Sequence, residues 1–509
     1  MQEIEEWFKT KKYPHIGMPI RVKHYNRVKQ YVENPTKIRK HSFLPFIHKT
    51  IVKRKFRADK KALVKNPSKK RRRIKQKPKI RDTFFASHLD AMVFSKYNQL
   101  LSCAYEQVIE KERFNESIVA YRKIALEPGK EGNKCNIDFA KSAFEYILTN
   151  KHKTLSVIIA DVTSFFDNLN HNILKKQWAK VLNKITLPPD HYNVFKALTR
   201  IKYVESQQLF DAYDQTMLVE KGIPNSPIKK TYVRKKINGT KYFKEKNAIA
   251  YCDKVEFIKK NLNLVISKNN KTGIPQGSPI SATLANIYMI DFDRLIFEAV
   301  KNVGGFYQRY SDDLIVVCER QHETGLIKTL RATIKSEVTR LEIQPEKTKL
   351  YHFENHNDIF KGFEVNEFTK EVYIKKPLEY LGFVFDGQHV LIKPSGFSKF
   401  YRSMKGAFSR AESFALHSKN PDRRIFKSKL FRRFTYKGAN RSIKFRPLAG
   451  NPKQYVKTKE YNWGNYLSYI NKADQKMLNI NGMNLIKRQS RRFWGRFNKL
   501  MKAHESNLR

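Results

Sequence analysis

Phe306-Tyr307-Gln308-Arg309-Tyr310-Ser311-Asp312-Asp313-Leu314-Ile315-Val316-Val317 places two adjacent carboxylates between two β-prone runs. Aromatic residues before the acids, β-branched residues after them and Ser-Asp-Asp turn chemistry between predict a hairpin with acids at its tip. Such a tip holds carboxylates rigidly and near solvent, where oxygen ligands can bind a divalent cation. Taken alone, the same residues also describe an ordinary solvated turn. The rest of the chain decides between the two.

Upstream, Ser156-Val157-Ile158-Ile159-Ala160 is a short apolar run typical of a buried strand, with Asp161 at its end. Val162-Thr163-Ser164-Phe165-Phe166-Asp167 then turns towards a helix expected to begin near Asn170. A lone carboxylate at a strand end can simply cap a turn, but a cation needs ligands from more than one place. Between these two acidic points lies Gly273-Ile274-Pro275-Gln276-Gly277-Ser278-Pro279-Ile280, read as a Gly-containing loop leading into a helix. Ser278 is the expected N-cap and Pro279 the first helical residue. A loop with few bulky side chains lets backbone approach a base pair, and Gln276 offers an amide.

The chain has 509 residues and a formal net charge of +54. That length implies two to four packed units, and that charge points to a polyanionic partner, nucleic acid before an anionic membrane. Residues 53–81 hold sixteen Lys or Arg against one Asp, a block expected not to fold alone and to order against phosphates. Helical periodicity is read from Thr83 through Leu101, followed by a strand pattern over Ile118-Val119-Ala120-Tyr121-Arg122-Lys123-Ile124 and a turn at Pro128-Gly129-Lys130-Glu131-Gly132. Residues 232–244 read as a basic hairpin turning at Asn238-Gly239. Four scattered cysteines, Cys103, Cys135, Cys252 and Cys318, are expected to be reduced and mostly buried, with neither disulfide nor zinc. No signal pattern and no membrane-length apolar run is visible, so a cytoplasmic protein without membrane contact is expected.

In order along the chain, these pieces resemble the palm of reverse transcriptases. Asp161 to Asp167 is similar to the family's first metal-binding motif. Pro275-Gln276-Gly277-Ser278-Pro279 is similar to its template-positioning motif, and Tyr310-Ser311-Asp312-Asp313 to its Y-x-D-D signature. Gln344-Pro345-Glu346-Lys347-Thr348 matches the following motif, and Glu379-Tyr380-Leu381-Gly382-Phe383 resembles the primer grip. The resemblance implies an α+β right-hand polymerase with an antiparallel palm sheet. Its expected divisions are a basic N-terminal extension at 1–83, fingers at 84–160, a palm at 161–385 with a fingers insertion at about 175–270, and a helical thumb with a basic C-terminal region at 386–509.

The same resemblance implies RNA-directed DNA polymerisation. Primer extension is an in-line displacement on an α-phosphate, for which two cations roughly 3.5–4 Å apart suit the entering and leaving oxygens. Asp161, Val162, Asp312 and Asp313 form the implied metal set, with Mg2+ expected and Mn2+ as a substitute, because hard oxygens without thiolate or imidazole disfavour zinc. Lys347 is the implied proton donor to pyrophosphate. Phe166 is the implied steric gate against a 2′-hydroxyl, with Phe165 expected in the core. Arg122 and Lys123 are placed near the triphosphate, Gln276, Gly277 and Tyr310 against substrate, and Tyr380, Leu381, Gly382 and Phe383 at the primer.

Beyond the palm, residues 397–416 and 485–501 carry helical patterns, the second with one aromatic face crowded by cations. A thumb gripping duplex is the first reading of that face and a homo-oligomer contact the second. Ser117-Ile118-Val119-Ala120-Tyr121-Arg122-Lys123-Ile124 and Asn136-Ile137-Asp138-Phe139-Ala140 resemble the prokaryotic "unknown group" enzymes of antiphage defence, relatives of retron and group II intron enzymes. That resemblance implies a dedicated noncoding RNA as template, dNTPs as substrates and a DNA product. A group II intron or retron-type enzyme, an RNA-dependent RNA polymerase and an RNA-binding splicing scaffold are the alternatives.

Overall fold

The computed structural model describes residues 4–58, 73–127, 129, 132–223, 226–344, 347–418, 424–440, 442–448, 451–462 and 464–508. The densest part of the basic block, Pro345 and Glu346, and most of the turn expected at 128–132 lie outside the described residues.

A six-stranded antiparallel sheet organises the chain. Leu155–Asp161 lies at its centre, between Asp313–Glu319 on one side and Lys349–His356 on the other. Phe306–Tyr310 completes one edge; Ile359–Val365 and Val372–Tyr373 complete the other. Two-residue alternation then splits the side chains between two cores. Ile158, Ala160, Leu314 and Val316 face a core shared with the helices Ser281–Tyr288, Ile290–Asn302 and Glu323–Lys335. Leu155, Val157, Ile315 and Val317 face a second core shared with the helix Asn136–Thr149 and the C-terminal helices. Because both faces are covered, these strands read as continuous apolar runs, and each fully buried Val, Leu or Ile contributes about 1.5–3 kcal/mol. The mixed α+β class and the antiparallel sheet are as the sequence leads one to expect.

The second core carries a small sheet of Leu378–Tyr380, Phe383–Phe385 and Val390–Ile392 into the helix Pro394–Leu416. The 485–501 pattern resolves into two helices, Leu485–Ser490 and Arg492–Ser506, with Ile486, Phe493, Phe497 and Met501 buried and Trp494 exposed. Between the two parts of this helical region stands a two-stranded ladder of Ser442–Leu448 and Asn451–Asn462.

Several elements differ from the expectation. Both ends of the basic block are ordered in a long antiparallel ladder, Phe46–Ala58 with Arg73–Phe85, whose foot is extended into a sheet by the strands Ile201–Glu205 and Ile266–Lys268. Thr83 and Phe84 therefore end a strand, and the helix starts at His88, capped by the Ser87 side chain. Residues before 45 are also packed: Trp7, Tyr25, Val28 and Ile38 join the first core. The 118–124 strand is not formed, since Tyr121 has φ +63° and only Ile118 bridges to a strand. The hairpin near 232 pairs Ser226–Lys236 with the preceding strand Thr216–Ile223. Asn238-Gly239 instead leads into a 3-10 turn, which lets Ile237 and Phe243 both reach a third core. Of the cysteines, Cys252 and Cys318 are buried, Cys135 is partly so and Cys103 is exposed; none is in a disulfide among the described residues.

Candidate active site

The hairpin forms where it was read, Tyr310 pairing with Asp313 around a Ser311-Asp312 turn. Ser311 takes the left-handed conformation, φ +64°, and its hydroxyl lies 2.9 Å from that of Tyr121. Asp313 sits directly opposite Asp161 across the central strand pair. The Val162 N–H donates to the Asp312 carbonyl at 3.0 Å, so the two acidic stretches are tied by backbone. A third segment closes the group. The Gln344 N–H donates to the Asp161 carbonyl at 2.9 Å, and the Lys347 ammonium reaches Asp161 Oδ1 at 2.7 Å. Asp161, Val162, Asp312, Asp313 and Lys347 thus come together from three separate parts of the chain.

Electrostatics mark this group as overcharged. Partial burial, reinforced by the Asp312 and Asp161 carboxylates, pushes the Asp313 carboxyl up to about 6 despite Lys347 and Lys393. Among the described residues, no three His, Cys, Asp or Glu side chains are gathered closely enough to cage an ion. The donors are nevertheless all hard oxygens, and their mutual repulsion is what a divalent cation relieves, so chemistry and charge fit a hard divalent cation.

Beneath the hairpin is a support that sequence reading missed. Arg309 is wholly buried and donates to both oxygens of the equally buried Asp293, at 2.7 and 2.6 Å, and to the Ser311 carbonyl at 3.0 Å. Tyr307 donates to the same Asp293 at 2.7 Å. Burial opposes the Arg309 charge, and Asp293 outweighs it, so the guanidinium pKa rises above its ordinary value. The signal was present: Tyr307 and Arg309 share one face of a strand whose alternate positions point into the core.

The Phe166-Asp167 turn and the 273–277 loop are stitched together. The Ile274 N–H donates to the Phe166 carbonyl at 3.0 Å, and Gln276 Nε2 lies 3.4 Å from Asp167 Oδ1. Phe166 is half-buried, edge-on to the buried Phe165. Gly277, at φ +111°, brings its backbone so near Phe84 that a Cβ would stand 3.0 Å from the Phe84 carbonyl. Ser278 does not cap the helix, which starts at Ser281 after a turn; its hydroxyl is buried without a hydrogen-bond partner among the described residues.

Arg122 and Lys123 are not brought to the carboxylates. Arg122 donates to Glu106 and to the carbonyls of Asn115 and Ile118, which uses its guanidinium to brace a loop. Lys123 pairs with Glu6 on the surface. At the expected primer grip, Tyr380 and Phe383 are buried, the Tyr380 hydroxyl donating to Gln308 at 3.0 Å, while Leu381 and Gly382 form a left-handed turn.

Set beside known proteins, residues 233–385 match the family described as reverse transcriptase (RNA-dependent DNA polymerase). This segment contains the Gly277 loop, the Asp312-Asp313 hairpin and Lys347. The match covers less than a third of the chain and leaves Asp161 outside it. The fold is also similar to apo telomerase from Candida tropicalis, at 13% identity and TM-score 0.36 over 77% of this chain and 58% of that one. Telomerase from Candida albicans, solved with a fragment of telomeric RNA, aligns at 12% identity and TM-score 0.36 over 95% of this chain and 64% of that one. The chain thus spans less than two thirds of the length of these telomerases. No curated protein matches it. Among the described residues, no helix is long and apolar enough to cross a membrane.

Proposed function

We propose that the chain is an RNA-directed DNA polymerase that copies an associated noncoding RNA, in bacterial antiphage defence. The observation that carries this reading is the register of Asp161 against Asp313, with Asp312 tied to Val162 and Lys347 held on Asp161. A divalent cation pair, Mg2+ in this reading, would lower the pKa of the primer 3′-hydroxyl and offset the charge of departing pyrophosphate. Asp161 and Asp312 would hold the ions, with Asp313 and the Val162 backbone beside them, and Lys347 would deliver a proton to pyrophosphate. Phe166 crowds a ribose 2′-hydroxyl. Gln276 and Gly277 bear on the template base pair, Tyr310 on the nucleotide, and the Tyr380-to-Phe383 turn on the primer. The 386–509 region grips the product duplex.

The defence assignment draws on the resemblance of residues 117–124 and 136–140. Purified protein with its co-bound RNA is supplied with Mg2+ and either dNTPs or NTPs, and the nucleic acids are sequenced. DNA complementary to one discrete copurified RNA is expected; incorporation of NTPs alone would replace this reading with an RNA polymerase.

A further inference from the structure

A cleft of about 1320 Å³ is bounded by residues 10–23, the foot of the long ladder and residues 240–251. It is not part of the carboxylate site. Lys11, Lys12, Lys23, Lys49, Lys241 and Lys244 line it, and no carboxylate among the described residues forms an ion pair with any of them. The one acid on its wall, Glu220, is bound by Arg21. These six lysines line one concavity without a carboxylate partner, Lys241 lying over the Tyr242 ring, and an anion of matching shape offsets their mutual repulsion. Burial, with the neighbouring Lys9, pulls the Lys11 ammonium below its ordinary value.

The wall is aromatic as well as basic. Tyr13 and Phe85 are half-buried with ring centroids 5.2 Å apart, and Tyr13 is fixed by a 2.8 Å hydrogen bond from its hydroxyl to the Ala86 carbonyl. Lysines beside rigid rings suit phosphates beside unpaired bases. The volume exceeds the roughly 300–1,000 Å³ usual for one small ligand. Position adds the final element. Phe85 belongs to the cleft, while its neighbour Phe84 donates its N–H to the Gln276 carbonyl at 2.9 Å. Adjacent residues of one strand therefore touch the cleft and the 273–277 loop.

We infer that this cleft holds an unpaired stretch of RNA, several nucleotides long, and so anchors the RNA whose adjoining segment is copied. The inference rests on the reading of the chain as an RNA-templated polymerase, and its test separates the two. Full-length protein freed of nucleic acid is titrated by fluorescence anisotropy with an unpaired oligoribonucleotide of about 12 residues and with a blunt RNA duplex. The same preparations are assayed for extension of a short annealed primer-template. For the variant Lys11→Glu/Lys12→Glu/Lys244→Glu, affinity for the unpaired strand should fall roughly tenfold or more, and its salt dependence should flatten by about two counterions. Duplex affinity and primer extension should change less than about twofold on that scale. Phe85→Leu keeps the charge and should weaken the unpaired strand alone; ultraviolet crosslinks should map to residues 10–23 or 85. Because Phe85→Leu and the crosslinks use intact charge, they decide the matter even if the triple variant misfolds. Unchanged affinity in Phe85→Leu with crosslinks elsewhere, equal loss for duplex, or displacement by equimolar inorganic triphosphate would each overturn the proposal. Wild-type protein that fails to extend any primer while the variants still lose the unpaired strand would sink the polymerase reading and leave the cleft standing.

Discussion

Arg309 shows how much of the site depends on a residue that touches no substrate. Its guanidinium and Asp293 are fully buried and bonded, and the same side chain holds the Ser311 carbonyl that shapes the Asp312 turn. Arg309→Ala leaves a buried carboxylate unpaired, so denaturant unfolding should show a loss of about 3–5 kcal/mol. Phe166→Ala tests the sugar gate at the same scale: ribonucleotide use relative to deoxynucleotide use should rise on the order of tenfold, read by single-nucleotide extension. Glu323 supplies a pH dependence. Burial alone would raise its pKa, but hydrogen bonds from His352 and Ser156 more than offset this and leave it below 4.5. A depressed folded pKa gives stability that is complete above pH 4.5 and is lost as pH falls through the folded value. Glu323→Gln should therefore flatten the acid limb of the stability profile below that pH. At this scale the acids were legible because they interrupt apolar strands. The pairing of Arg122 with Glu106, sixteen residues away, was not legible because a cation's partner leaves no local trace.

At the scale of elements, the 273–277 loop is a tightly constrained connection. A Cβ on Gly273 would meet the Asp167 carbonyl at 2.8 Å with φ at +92°, so Gly273→Ala should cost about 1–3 kcal/mol in thermal or denaturant unfolding and shift the Phe166-Asp167 turn. Gly325, on the exposed face of the helix Glu323–Lys335 with nothing near its Cβ position, should accept alanine without loss. Elements whose partners are close in sequence were legible. The Asp161 strand ends as read, and Asn170 caps the next helix with its side chain accepting from Asn172 and Ile173. Elements set by distant partners were not: Thr83 ends a strand because Lys49 lies opposite it in the ladder, a pairing no helical period can reveal. Asn238-Gly239 carries hairpin chemistry, yet Ile237 and Phe243 are drawn into the same core and the chain takes a 3-10 turn.

Across the whole molecule, the central sheet separates two cores and presents three acids at one end of its middle strands, while a net charge of +54 surrounds them. That charge predicts nucleic-acid binding that weakens steeply as salt rises, with a log–log slope of several units. The +54 was legible from composition; the packing of Trp7, Tyr25 and Ile38 into the first core was not, because those residues are spread among lysines without a sustained period. The central claim is that Asp161, Asp312 and Asp313 form one catalytic group. Its most direct test is DNA synthesis by the purified protein and its co-bound RNA, with Mg2+ and dNTPs, before and after Asp312→Asn with Asp313→Asn. The account predicts that synthesis falls to background while the protein keeps its RNA and its thermal stability; synthesis that continues unchanged would contradict it.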